Sequence, residues 1–295
     1  MSKGLPRVAA VTMVRNEGRM IHKWVDYYGA QLGVDSLVVV DDNSDDGSTD
    51  ALGCRVERIA PITGDFEPAR MKIVNEVGRR LLRKHDAVIF ADADEFIVPD
   101  PARYDDLRGF AAARLDRQAV GVMCLNVVHH VATEEALDFT RPVLAQRSLV
   151  KFIPLFCKPA LKFVANPWAA ASHGLAGASF AVDPELFMFH LKFADRDHLA
   201  EIAAHRRSMV ELDGRASLTS WQFTSDEMLD LLDRLNEEVG PDPAAVDEFA
   251  PSPDRLAEIA TTFPNGLTRA TGARMVPAME RRPFKRIPAR FAQAV

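Results

Sequence analysis

The chain has 295 residues, 47% of them hydrophobic and 26% charged, and a net charge of −6. That balance suits one large globular α/β domain, or a core domain with a smaller appendage, and it speaks against nucleic acid as a partner, because phosphate-neutralising surfaces are basic. Cys54, Cys124 and Cys157 are far apart and form no C-x-x-C pair, which argues against a disulfide framework or a thiolate zinc site.

In chain order, the first apolar run, "RVAAVTMV" over 7–14, reads as a buried strand. It meets Arg15, Asn16 and Glu17 too soon to serve as a signal peptide. No stretch approaches the ~20 apolar residues that span a bilayer. The expected location is therefore a reducing cytoplasm. Met20, Ile21, Trp24, Val25 and Tyr28 recur at helical spacing, which makes Trp24 and Tyr28 core residues, and Gly29 and Gly33 supply a stop. "SLVVVDD" (36–42) is the second strand, Met71, Val74, Val77, Leu81 and Leu82 mark a second helix, and "AVIFAD" is a third strand.

This alternation is the pattern of strand-helix-strand units around a parallel sheet. Beyond it, "PDPARYDDLRGF" reads as a turn entering a helix and "AVGVMCLNVV" (119–128) as another strand. The segment 129–180 reads as loops and short strands suited to a variable substrate. Thr224 and Glu227 form a capping box ahead of Met228, Leu231, Leu232 and Leu235, after which Pro241, Pro243, Pro251 and Pro253 divide the chain. The expected division is 1–212 for the sheet domain and 213–295 for a C-terminal helical extension with a basic tail.

Ligands of open parallel sheets bind beyond the carboxyl ends of the strands. Three polar clusters follow the three runs: Arg15, Asn16 and Glu17; Asp41, Asp42 and Asn43; Asp92, Asp94 and Glu95. In an extended "ADADEF", Asp92 and Asp94 would share one side. Carboxylates there suit a hard divalent cation, Mg2+ or Mn2+, which keeps coordination positions for substrate phosphates. In "SDDGSTD", Asp45, Asp46, Gly47 and Ser48 read as a turn and a helix start.

"VTMVRNEGRMIHKWVDYYGAQLGVDSLVVVDDNSDDGSTD" followed by "VIFADADEFIVP" resembles the glycosyltransferases of family 2 and the related family 92 type. The likeness spans about 7–100, loosens to about 207 and is absent beyond. It implies a GT-A (Rossmann-like) fold, an α/β architecture with a mostly parallel sheet flanked by helices. It also implies a nucleoside-diphosphate sugar as donor, a divalent metal, and inverting transfer to a hydroxyl of a glycan, lipid or other acceptor. Residue by residue, Asp42 would contact the nucleotide base, the backbone near Val14 to Asn16 would form the other wall, and Glu17 beside it is a further cofactor-binding candidate. Asp92 would lie near the ribose or the metal, and Asp94 would bind the metal. Arg70 and Asn75 fall in a helix that runs beside the nucleotide. Arg70 can pair with phosphate oxygens or be a surface arginine.

GT-A enzymes often supply a late histidine as a further ligand, and His190 in "LFMFHLKF" matches by order, the other reading being a core histidine. Lys192 would offset diphosphate charge as the leaving group departs. Inversion needs a base, for which Asp183, Glu185, His173 and Asp195 are candidates. The tail "ERRPFKRIPARF" interleaves Arg281, Arg282, Lys285, Arg286 and Arg290 with Phe284, Ile287 and Phe291. It is either solvated or in peripheral contact with the inner face of a membrane. Two other functions compete: an aspartyl-phosphate phosphohydrolase, which also uses a D-x-D strand, and a nucleotide-sugar-binding protein of the same fold without activity.

Overall fold

The computed structural model describes residues 4–62, 65–169, 171–214 and 219–295. β1 (Val8–Val14) is buried along its whole length between two parallel neighbours, β2 (Leu37–Asp41) and β4 (Ala87–Phe90). A strand covered on both faces needs an unbroken apolar run rather than an alternating one, which is why "VAAVTMV" shows no period of two. α1 (Gly18–Leu32) buries Trp24 and Tyr28 completely, and β3 (Arg55–Arg58) closes this edge beside β2. The helix runs through Gly29 and stops at Gly33, whose φ of 86° suits glycine and whose N–H donates to the Gly29 carbonyl. α2 (Phe66–Leu81) leads into β4.

The second half adds β5 (Glu95–Pro99), α3 (Leu107–Ala112), β6 (Ala119–Val128), β7 (Leu149–Phe152), β8 (Leu161–Lys162), β9 (Trp168–Ala169), β10 (Gly174–Ala176) and β11 (Ala181–Phe193). β8 joins β4 to β6 through antiparallel pairings, and β11 lies parallel to β6 and antiparallel to β5. The sheet is thus parallel around β1 and mixed around β6. One register matters for the site: His190 of β11 stands opposite Glu95 on one side and Asn126 on the other.

α4 (Arg196–Asp213) precedes α5 (Ser225–Val239), which starts with the expected capping box, and α6 (Pro253–Ala257). The segment after 212 is not helical throughout. β12 (Ala260–Thr262) and β13 (Leu267–Ala270) build a small sheet with β9 and β10. After α7 (Met275–Arg281), β14 (Phe284–Arg286) pairs with β7 in the main sheet. The basic tail is therefore part of the fold. Phe284 and Phe291 are buried, Lys285 reaches Asp247 at 3.2 Å, and Arg290 reaches Asp100 at 2.9 Å. The phenylalanines that would enter a bilayer are committed to the core. Among the described residues no helix is long and apolar enough to cross a membrane.

α2 is held at a fixed distance by Trp168. A Cβ on Gly78 would lie 2.9 Å from the indole, so only glycine permits this approach. Asn75 exchanges hydrogen bonds with the Trp168 backbone, its Nδ2 donating to the carbonyl at 2.9 Å and its Oδ1 accepting from the N–H at 2.8 Å. That pairing makes Asn75 a brace between α2 and β9, away from the position beside the nucleotide that the resemblance implies.

Candidate active site

The register of β1 with β2 aligns Val14 with Asp41, and that with β4 aligns Val11 with Phe90, so all three strands end at one edge. A cavity of about 270 Å³ opens there. Of the residues expected at a site, Val14, Glu17, Asp42, Arg70, Asp92, Asp94, His173, His190 and Lys192 line it. Asn16, Asn75 and Asp183 do not.

The second strand end is organised from within. Buried Asp41 accepts from the Ser44 N–H at 2.8 Å, the Thr49 hydroxyl at 2.9 Å and Arg58 Nε at 2.8 Å. Burial alone would raise this carboxyl, but the bonds from Ser44, Thr49 and Arg58 hold it below the usual range. Asp42 is left facing the cavity, with Oδ1 accepting from the Ile62 N–H at 2.9 Å. Asn16, at a φ of 55°, turns into this loop: its Nδ2 donates to Asp45 at 2.8 Å and its Oδ1 accepts from the Asp45 N–H at 2.9 Å. It clamps two strand ends together rather than lining the cleft.

The third strand end is not extended. β4 stops at Phe90, and a turn closed by the Glu95 N–H to the Asp92 carbonyl follows. Strand alternation therefore does not put Asp92 and Asp94 side by side, and the two carboxylates take different partners. Asp92 pairs with Arg70 and stands 4.0 Å from Lys158 Nζ. Burial would raise Asp92, but these two cations lower it. Asp94 is 3.3 Å from His190 Nε2 and 3.2 Å from Arg206. Burial again opposes ionisation, yet His190 and Arg206 hold Asp94 well below the carboxylate range. Among the described residues no three His, Cys, Asp or Glu side chains converge as a ready metal cage. Of Asp92, Asp94 and His190, only Asp94 and His190 are paired with each other.

That pair still fits a divalent cation. Asn126 Oδ1 lies 2.6 Å from His190 Nδ1, with the amide nitrogen directed to Met279 Sδ at 3.2 Å. Nδ1 therefore donates to Asn126, and Nε2 is turned toward Asp94, where a proton or a metal ion can stand between the two. An imidazole that faces a carboxylate with its far nitrogen fixed by a hydrogen bond is how proteins orient a metal ligand.

Several cavity residues had no clear mark in the sequence. Lys158 Nζ donates to Glu95 at 2.5 Å and to Ser172 at 3.3 Å. Arg206 comes from α4, where it falls in register with the buried Leu199, Ile202, Ala203 and Met209. A charge inside an apolar stripe was the signal that could have found it. The Nε of Arg206 and that of Arg15, also a cavity residue, are buried donors with no acceptor among the described residues. Lys192 contacts the Ser220 hydroxyl at 3.1 Å. Burial, and secondarily Arg206, pushes Lys192 down to about 7. Glu17 moves the other way, raised to about 7 by burial and by Asp94 and Asp92 against the pull of Arg206.

Three base candidates are engaged elsewhere. Asp183 is bound to Arg114 at 2.7 Å, and Glu185 is shared by Arg114 at 2.9 Å and Arg103 at 2.6 Å. Both sit near the start of β11, the opposite end from His190. Asp195 caps α4 by accepting from the His198 N–H and also takes the Leu137 N–H at 2.7 Å.

No protein-family model matches the chain, and no curated protein matches it. Among solved structures it is similar to glucosyl-3-phosphoglycerate synthase from Mycobacterium tuberculosis in complex with Mn2+, UDP-glucose and phosphoglyceric acid. The identity is 22% over 40% of this chain and 44% of that one, with a TM-score of 0.30. The same enzyme with Mn2+, UDP and glucosyl-3-phosphoglycerate matches at 20% identity over 54% of this chain and 57% of that one, with a TM-score of 0.32. A mycobacterial protein matches at 20% identity over 48% and 46%, with a TM-score of 0.30. The chain spans less than two thirds of each. Overlap of this extent leaves the chemistry of the site to its own residues.

Proposed function

We propose that the chain is a metal-dependent glycosyltransferase of the GT-A type, which moves a sugar from a nucleoside diphosphate to an acceptor hydroxyl with inversion. The observation that carries the reading is the pair Asp94 Oδ2 and His190 Nε2, 3.3 Å apart in a cavity at the carboxyl edge of parallel strands. Asp94 and His190 would hold Mn2+ or Mg2+, which when bound supplies positive charge to a departing diphosphate. Asp42 and the Val14 backbone form the nucleotide wall. The unpartnered Nε donors of Arg15 and Arg206, with Lys192, favour an anion between them, because a buried guanidinium N–H without an acceptor is costly. Arg70 and Lys158 keep Asp92 ionised and oriented at the rim. Thr219, Ser220, Trp221 and Met275 also line the cavity, so the working unit includes the segment after 212.

Titration calorimetry with UDP and GDP, with and without Mn2+, tests this. Nucleotide binding that depends on Mn2+ and is lost in Asp94→Asn is the expected result. Phosphate release from a simple ester without any nucleotide requirement would point instead to the phosphohydrolase chemistry.

A further inference from the structure

We propose that His173 is the base that takes the proton of the acceptor hydroxyl, through its Nε2 atom; this rests on the transferase reading above. The first ground is the tautomer. His173 Nδ1 lies 2.7 Å from the Leu155 carbonyl oxygen, which can only accept, so Nδ1 carries the proton and Nε2 bears the lone pair. His173 lines the cavity, and among the described residues no protein group bonds Nε2. The ring is stacked on Phe156 with centroids 4.9 Å apart and planes 26° from parallel, which fixes the direction of that lone pair.

The second ground is the backbone. Ala171 and Ser172 both adopt left-handed conformations, with φ of 56° and 66°. Neither is a residue type that occupies this region freely, and each costs roughly 1 kcal/mol or more there. Ser172 is locked in place by Lys158, whose Nζ contacts its hydroxyl at 3.3 Å. The strain is spent on delivering the next residue, His173, into the cavity from the start of β10. Burial and the nearby Lys158 push the imidazole down to about 4, so the ring is neutral with its Nε2 lone pair free across the physiological range, and negative charge on a bound diphosphate would raise it toward the strength of a working base.

The third ground is that most of the carboxylates are already engaged. Asp183, Glu185 and Asp195 are bound to arginines or backbone amides outside the cavity. Asp92, Asp94 and Glu95 are each paired with a cation inside it. Glu17, raised to about 7 in the same cavity, is the remaining rival, and the variants below separate the two. In the proposed step the acceptor oxygen bonds to the anomeric carbon while the bond from that carbon to the phosphate oxygen breaks, its electron pair leaving on the diphosphate. The hydroxyl proton passes to Nε2, and the imidazolium returns it to solvent once the products leave.

The test compares the wild-type protein with His173→Ala, His173→Gln and Glu17→Gln, measuring transfer with a panel of nucleotide sugars and hydroxyl acceptors and Mn2+-dependent UDP binding by calorimetry. His173→Gln keeps a polar side chain of similar length but has no basic nitrogen, so it guards against loss of fold. The expected result is at least a hundredfold drop in transfer for both His173 variants, UDP affinity within threefold of wild type, and at least tenfold recovery of His173→Ala with added imidazole. Transfer within threefold of wild type in His173→Gln, absence of imidazole rescue, or the hundredfold loss falling on Glu17→Gln instead would each overturn the assignment. Mn2+-independent UDP binding and no transfer by the wild-type protein would instead overturn the transferase reading beneath it.

Discussion

Lys162 offers the sharpest check on the packing that supports the site. Its side chain is fully buried in β8, with Nζ donating to the Asn166 carbonyl at 2.7 Å and lying 3.6 Å from the centroid of the Trp168 ring. Burial, reinforced by Arg79, pushes its pKa down from the ordinary 10.5 to about 7. Between those values the unfolded chain binds a proton that the folded chain does not, so stability rises with pH through the window. Below about pH 7 both states are protonated and the folded state carries the full penalty. At ~1.36 kcal/mol per pKa unit this amounts to about 5 kcal/mol. Lys162→Met removes it but also removes the bond to Asn166 and the contact with Trp168, together worth about 2 kcal/mol. The variant should therefore be more stable than wild type by about 3 kcal/mol near pH 7, with the gap shrinking by about 1.4 kcal/mol per pH unit, vanishing at about pH 9 and reversing above it. Urea melts at pH 7, 8 and 9 read both quantities. Parallel stability curves for the two proteins would refute the reasoning, because they would mean that Lys162 keeps its proton on folding.

Gly78→Ala should lose about 1–3 kcal/mol in urea melts although alanine is the better helix former, because its methyl would meet the Trp168 ring. Arg114→Ala should lower stability by about 2–4 kcal/mol, since it leaves the buried Asp183 without its cation, while UDP affinity measured by calorimetry stays unchanged. Thr224→Ala should cost about 1 kcal/mol through loss of the α5 cap and shift the thermal midpoint by a few degrees.

The strand-helix-strand half was legible because its buried strands are continuous apolar runs and its helices keep a clear period; both signals are local. The positions of Asp42 and Asp94 followed from a topological rule about strand ends. What local signals cannot supply is pairing between distant segments. Nothing in "CKPALKF" marks Lys158 as the partner of Glu95, because that bond depends on how β6 and β8 fold back over β4. The Asn16 amide bonds into the loop after β2, a pairing between two strand ends that no local signal marks. Asp183 was chosen as a carboxylate late in the chain. A strand as long as β11 separates its two ends by tens of ångströms, so His190 can reach the cavity while Asp183 cannot. The charges of the tail suggest a solvated segment or a membrane contact, while the phenylalanines between them decide where it goes.

The arrangement of charge in the cavity also accounts for acidic residues at a strand end, where desolvation is expensive. Asp92 and Glu95 are neutralised internally by Arg70 and Lys158, so they shape the rim without needing a ligand. Asp94 is different: its partners are one arginine, whose own Nε has no acceptor among the described residues, and one imidazole, whose Nε2 a metal ion could take over. A cation entering between Asp94 and His190 would weaken the hold of Asp94 on Arg206 and turn that guanidinium toward an anion. Metal and diphosphate would then support each other, each resolving the unsatisfied group that the other leaves. Cooperative binding follows as a consequence, with UDP tightening Mn2+ by the same factor as Mn2+ tightens UDP. Arg206→Met should abolish most of that coupling while leaving weak Mn2+ binding in place. Calorimetric titrations in both orders measure it, and equal coupling in the variant and the wild type would show that Arg206 takes no part.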